Sequence, residues 1–220
     1  MSAMKAYIQD ILDMWNTGRG HCHECPFNLV NHAPEFALGS ENGPLMVIAQ
    51  SPGGVEKAGR KRGETPYSAD EYFEPYRDEQ LGHQPEYPHI AVLRRMTEGT
   101  PYNEVRGIYY TNLAKCHAGV DMGNPEMNRA LGCCEPYLKE EFRLIDPRLI
   151  VTFGVPAFKA TTKALSIPVE HMTMADRHGL AIRPPDSPIP VLPFLHWSRI
   201  RGRRYYEGIQ KAFVRETGRV

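Results

Sequence analysis

Four short apolar runs limit what this chain can fold into. Leu45–Ala49 reads LMVIA, Ile108–Asn112 reads IYYTN, Leu149–Phe153 reads LIVTF, and Ile189–Phe194 reads IPVLPF. Each has the length of a strand, and helical patterns separate them. Short apolar strands alternating with helices specify a parallel sheet with helices on both faces. Ile8, Ile11, Leu12 and Trp15 give the first helix, from about Met4 to Trp15, and Thr17-Gly18-Arg19-Gly20 ends it. Further helices are expected around Ile90–Met96, from Pro125-Glu126 to about Ile145, and over Pro156–Leu165. A last Arg-rich helix runs to about Arg215. The expected fold is α/β, a three-layer α/β/α arrangement with a central four-stranded parallel sheet. Pro190 and Pro193 lack the N–H that an interior strand needs, which places Ile189–Phe194 at an edge. At 220 residues, the chain reads as a single domain, 1–220, with a partly surface-exposed insertion around 68–106.

Charge narrows the partners very little. Lys+Arg and Asp+Glu both number 26, so attraction to phosphate must come from local patches. Arg60-Lys61-Arg62 forms one candidate patch. Arg199, Arg201, Arg203 and Arg204 form another. No apolar run is long enough to span a bilayer, and the N-terminal segment carries acids inside its apolar pattern, unlike a signal peptide. The expectation is a cytoplasmic protein with no membrane partner, acting as a monomer.

In that compartment five cysteines argue for a metal centre or thiols rather than a disulfide framework. Cys22 and Cys25 stand in C-x-x-C spacing in a turn, where both thiolates can reach one centre. Cys116 follows the second strand, and Cys134 returns 18 positions later on a helix. These four are the candidate metal ligands. Zinc is the alternative to a cluster, and His21 or His23 could join a zinc site. Cys133 is expected to be a small buried residue.

The carboxyl ends of parallel strands are where α/β sheets place ligands. The first strand runs into Gln50-Ser51-Pro52-Gly53-Gly54. The second ends on Asn112, the third on Phe153-Gly154, and the fourth delivers Leu195-His196-Trp197-Ser198. Residues 166–188 read as loop and contain Asp176-Arg177-His178-Gly179.

The order of these pieces resembles the iron–sulfur uracil-DNA glycosylases, within the larger uracil-DNA glycosylase superfamily. The chain has C-x-x-C, an apolar strand with a P-G turn, T-N-x-x-K-C, C-x-P-Y-L, a strand ending in F-G, and a terminal H-x-S, together spanning about Cys22 to Arg201. The resemblance implies a [4Fe-4S] cluster on Cys22, Cys25, Cys116 and Cys134, the last chosen because x-P-Y-L follows it. It implies DNA as partner and uracil as the default base. Gln50, Ser51, Pro52 and Gly53 match the family's first motif, with Ser51 where some branches carry a catalytic Asp or Asn. Glu56 matches a downstream acid. Tyr67, in Thr65-Pro66-Tyr67, matches the ring that stacks on a flipped base. His196 and Ser198 match the family's H-P-S, here His196-Trp197-Ser198.

Breaking an N-glycosidic bond leaves negative charge on the departing base, and the target must first leave the base stack. The resemblance makes His196 the donor to the departing oxygen. Asn112 reads the base edge, Tyr67 stacks on it, and Glu56 orients or deprotonates water. Arg199 and Arg201 are the expected phosphate contacts. Three readings follow: a monofunctional glycosylase for an altered pyrimidine; a glycosylase for a bulky modified cytosine, such as glucosylated hydroxymethylcytosine of phage DNA, serving antiviral defence; and a non-catalytic iron–sulfur DNA-binding protein. The departures at Ser51 and in the stretch after Tyr67 motivate the last two.

Overall fold

The computed structural model describes residues 2–26, 38–50, 68–69, 88–102, 107–116, 125–169, 173–184, 188–197 and 202–218. Helix α1 (Ala3–Thr17) comes first. Ser2 caps it by accepting from the Lys5 N–H, and Gly18 ends it at φ 63°, a left-handed conformation open to glycine. A 3-10 turn (Gly20–Cys22) follows. The order continues with β1 (Leu38–Gly39), β2 (Leu45–Ala49), α2 (Pro88–Thr97), β3 (Ile108–Asn112), α3 (Pro125–Ile145) and β4 (Leu149–Phe153). It closes with α4 (Val155–Ala164), α5 (Met174–Arg177), β5 (Val191–Phe194) and α6 (Arg203–Thr217).

The sheet order is β1-β3-β2-β4-β5. Strands β2 to β5 are mutually parallel, as the apolar runs predict. Two-residue β1 adds an antiparallel edge beside β3, too short to leave a pattern in sequence. Strand β5 lies at the opposite edge and begins at Val191, so Pro190 precedes it and Pro193 is tolerated within it. The Pro193 carbonyl accepts from the Gly179 N–H, on the side away from β4. A residue's nitrogen and carbonyl share one side of a strand, so the missing N–H costs no bond to β4.

Alternation splits the apolar side chains between two cores. Met46, Ile48, Tyr109 and Ile150 pack with α1, α3 and α4. Leu45, Val47, Tyr110, Val151, Phe153 and Phe194 pack with α2 and α6. The result is the expected three-layer α/β/α fold. Helix α2 belongs to the second core, with Val92, Leu93 and Met96 buried. No described helix is long and apolar enough to cross a membrane.

Candidate functional site

The parallel register brings Gln50, Asn112, Gly154 and His196 to one end of the sheet. Ala49 pairs with Asn112 and Phe153 with Phe194. Gln50 stays locked to the chain beyond β3, because its carbonyl accepts from the Ala114 N–H at 3.0 Å. Gly154 occupies the space between Gln50 and His196. Its φ is +90°, and a Cβ there would stand 3.4 Å from His196 Cβ and 3.7 Å from Gln50 Oε1. Conformation favours glycine here, while a Cβ would only make ordinary contact with both neighbours.

Each side chain at this mouth is held from behind. Asn112 is buried, with its Oδ1 3.5 Å from the Tyr110 hydroxyl. The His196 ring stacks on Trp197 at 4.2 Å, and Trp197 meets Phe153 edge-on at 4.9 Å. One residue earlier, the Leu195 N–H donates to His178 Nδ1 at 3.1 Å, and the Leu195 carbonyl accepts from the Tyr205 hydroxyl. Burial lowers the pKa of His178, which favours the neutral ring that an accepting Nδ1 requires. Burial, then the neighbouring Tyr206, raises that of Tyr205.

Behind Asn112 lies a buried ionic network. Lys115 Nζ donates to the Asn112 carbonyl at 2.8 Å, to Thr111 Oγ1 at 2.7 Å and to Glu141 Oε1 at 2.6 Å. The two charged side chains are 1% and 0% exposed. From α1 the Tyr7 hydroxyl donates to Glu141 Oε1 at 3.1 Å and contacts the Tyr137 carbonyl at 3.2 Å. Burial, then the Glu141 carboxylate, raises the Tyr7 pKa well above the usual phenol range, so this hydroxyl keeps its proton. One lysine thereby joins the β3 end to α3 and, through Glu141, to α1.

The next residue, Cys116, opens onto a pocket lined also by Cys25, Cys133 and Cys134. Ile11, His21, Ala114, Lys115, Ala130 and Tyr137 complete its mostly apolar wall. Three of the four expected ligands, Cys25, Cys116 and Cys134, therefore meet from three distant segments. Cys22 lies in the adjoining 3-10 turn. All four cysteines on the wall are thiols rather than disulfides. Among the described residues no three His, Cys, Asp or Glu groups stand together as ligands of one ion. Cys133 departs from the expectation of burial. It is half-buried on the pocket wall, because one helical step rotates it off the buried face that carries Cys134, Tyr137 and Leu138.

Gln50, Asn112 and His196 are thus brought together. Ser51, Pro52, Gly53, Glu56, Tyr67, Ser198, Arg199 and Arg201 lie outside the described residues, as does the Cys22 side chain. Sequence reasoning overlooked Glu141, Lys115, His178 and Tyr205. Glu141 did leave a signal: it interrupts the apolar stripe of Cys134, Tyr137, Leu138 and Ile145, and a buried acid requires a partner.

An α/β/α sheet with polar side chains gathered at its carboxyl edge defines a ligand-binding α/β protein. The family model of the Uracil DNA glycosylase superfamily matches residues 36–213, and the chain belongs to that superfamily. Membership makes it a DNA glycosylase in general class, with DNA as the substrate-bearing partner. No curated protein matches the chain.

Proposed function

We propose that this protein is a monofunctional DNA glycosylase. It flips an altered pyrimidine out of DNA, uracil by default, and hydrolyses its N-glycosidic bond to leave an abasic site. The observation that carries this reading is the alignment of Gln50, Asn112 and His196 along the carboxyl edge of a superfamily sheet, with Gln50 and His196 flanking Gly154. Water adds across the bond: its hydroxyl goes to the sugar carbon, and its proton balances the released base. Asn112, with one acceptor and two donor hydrogens, pairs with the pyrimidine edge. His196 donates to the oxygen on which charge builds as the bond breaks. Ser51, Pro52, Gly53, Glu56 and Tyr67 follow Gln50 in sequence, whereas Ser198, Arg199 and Arg201 follow His196. Chain continuity supports their roles in water activation, base stacking and phosphate contact.

The thiol pocket, with Cys25, Cys116 and Cys134 on its wall, supports a [4Fe-4S] cluster held by these three and Cys22. Its wall is largely apolar, and thiols enter it from separate segments of the chain. Such a cluster supplies a structural crosslink here. The protein's own residues carry the hydrolysis. Iron and acid-labile sulfide measured per chain support the cluster; zinc without sulfide replaces it with a mononuclear site.

Base release from a panel of DNA substrates tests the function. The panel holds uracil, hypoxanthine, hydroxymethylcytosine and glucosylated hydroxymethylcytosine, with abasic sites read by alkali cleavage. Release of uracil supports the primary reading and a role in repair. Release only from modified cytosine reassigns the pocket to bulky bases and the role to defence against phage. DNA binding without release from any substrate overturns the enzymatic reading in favour of a binding protein.

A further inference from the structure

Strand β5 is an edge strand, yet its outer side is bonded along its length. Val191 exchanges both backbone hydrogen bonds with Ile182, at 2.8 and 2.9 Å. Two residues on, the Pro193 carbonyl accepts from the Gly179 N–H at 2.8 Å. Two residues further, the Leu195 N–H faces the same way, but the opposing backbone has turned into α5. A side chain supplies the next rung: His178 Nδ1 takes the Leu195 N–H at 3.1 Å. The Tyr205 hydroxyl, from α6, takes the Leu195 carbonyl. The two rings stack, with centroids 5.7 Å apart and planes 7° from parallel. On the inner side the ladder ends one residue earlier, where the Phe194 carbonyl accepts from the Gly154 N–H at 2.8 Å.

Backbone groups just beyond a strand end are commonly left to water. Here both polar groups of Leu195 are captured by side chains that also pack on each other. We propose that His178 and Tyr205 are positioning residues: they fix the two peptide planes flanking Leu195 and so aim the following residue, His196, across Gly154 at the mouth shared with Gln50 and Asn112. The need is geometric. A donor to a developing oxyanion is effective only within a few tenths of an ångström of its place, and His196 stands beyond the last rung that the sheet provides. The strap at 178–182 supplies that rigidity without touching the substrate. Its own anchor is tight. Gly179 sits at φ +73°, a Cβ there would crowd Ala212 Cβ at 3.2 Å, and its carbonyl accepts from Arg215 on α6.

The job assigned to His196 rests on the glycosylase reading; the geometry of the clamp does not. The test therefore has two arms. In the first, isotope-labelled histidine NMR follows the His196 imidazole in the full-length protein, with its signal assigned by loss in His196→Ala. His178→Leu and Tyr205→Phe are expected to shift or broaden that signal. His178→Asn, whose side-chain oxygen can accept the Leu195 N–H, is expected to restore it. In the second arm, base release under single-turnover conditions is expected to fall about 10- to 100-fold in His178→Leu, with DNA affinity unchanged and recovery in His178→Asn. An unmoved His196 signal in folded His178→Leu and Tyr205→Phe overturns the clamp, whatever the activity. A wild-type protein that releases no base overturns the glycosylase reading, and the NMR arm then still decides the clamp.

Discussion

Glu141 illustrates how one residue carries several obligations. It is fully buried and receives Lys115, Thr111 and Tyr7. Removing one partner of a buried ion pair leaves the other uncompensated, at a cost of about 3–5 kcal/mol. Glu141→Ala is accordingly expected to unfold at much lower denaturant than wild type. The exposed Arg143–Glu140 pair is a contrast: the geometry is close, but water competes on both sides, so Arg143→Ala is expected to leave the denaturant midpoint essentially unchanged. Gly154→Ala is a different failure, one of conformation. Its positive φ costs about 1–3 kcal/mol for a side-chain-bearing residue. Relief of that strain would shift the turn between Gln50 and His196, so base release is expected to fall along with thermal stability. At this scale the sequence was partly legible. Asn112 and His196 stood out through their T-N-x-x-K-C and H-x-S settings. Lys115 did not, because it is an ordinary surface residue until the fold buries it, and Glu141 showed only as a break in the apolar stripe of its helix.

At the scale of elements the parallel strands and the long helices follow from apolar periodicity, and their ends from Gly18, Pro125 and Gly154. Three elements escaped. Strand β1 is two residues long, α5 is a four-residue helix inside the stretch read as loop, and the 178–182 strap pairs through a single bridge, a proline carbonyl and a side chain. Such pieces are defined by their partners and carry no period of their own. The strap nonetheless has a pH signature. His178 is stacked on uncharged Tyr205 and packed edge-on to Phe194, with Arg177 preceding it and Arg215 holding Gly179. Its folded pKa lies below the ordinary value of about 6.5. Above that value His178 is neutral in both folded and unfolded chains and contributes no pH dependence. As pH falls from about 6.5 toward the folded pKa, the unfolded chain binds the extra proton first, so stability falls. Denaturant midpoints across this window are expected to decline in wild type and to decline less in His178→Asn.

Across the whole molecule, the thiol pocket joins segments that the sheet alone leaves separate. The turn carrying Cys22 and Cys25 precedes every strand, Cys116 follows β3, and Cys134 lies within α3. A centre bridging them closes loops of very different length, and such closure restricts the unfolded chain more as the loops lengthen. If the proposed cluster is bound, stripping it with a chelator under reducing conditions is expected to lower the melting temperature and expose the N-terminal segment to protease first. The superfamily match begins at residue 36, so the turn with Cys22 and Cys25 stands outside it. The C-x-x-C spacing marked that turn in the sequence as a candidate ligand pair. The spatial convergence of all three segments required the fold.

Both outer flanks of the sheet are occupied, β1 lying on β3 and the strap lying on β5. Exposed strand edges are templates on which a second copy of a chain can grow. A copy of this protein adding to the β5 side would first have to peel away the strap that holds Leu195 beside His196, so self-association there and loss of the proposed chemistry should appear together. In concentrated or warmed samples, the first aggregates are expected to form from molecules that have already gone silent.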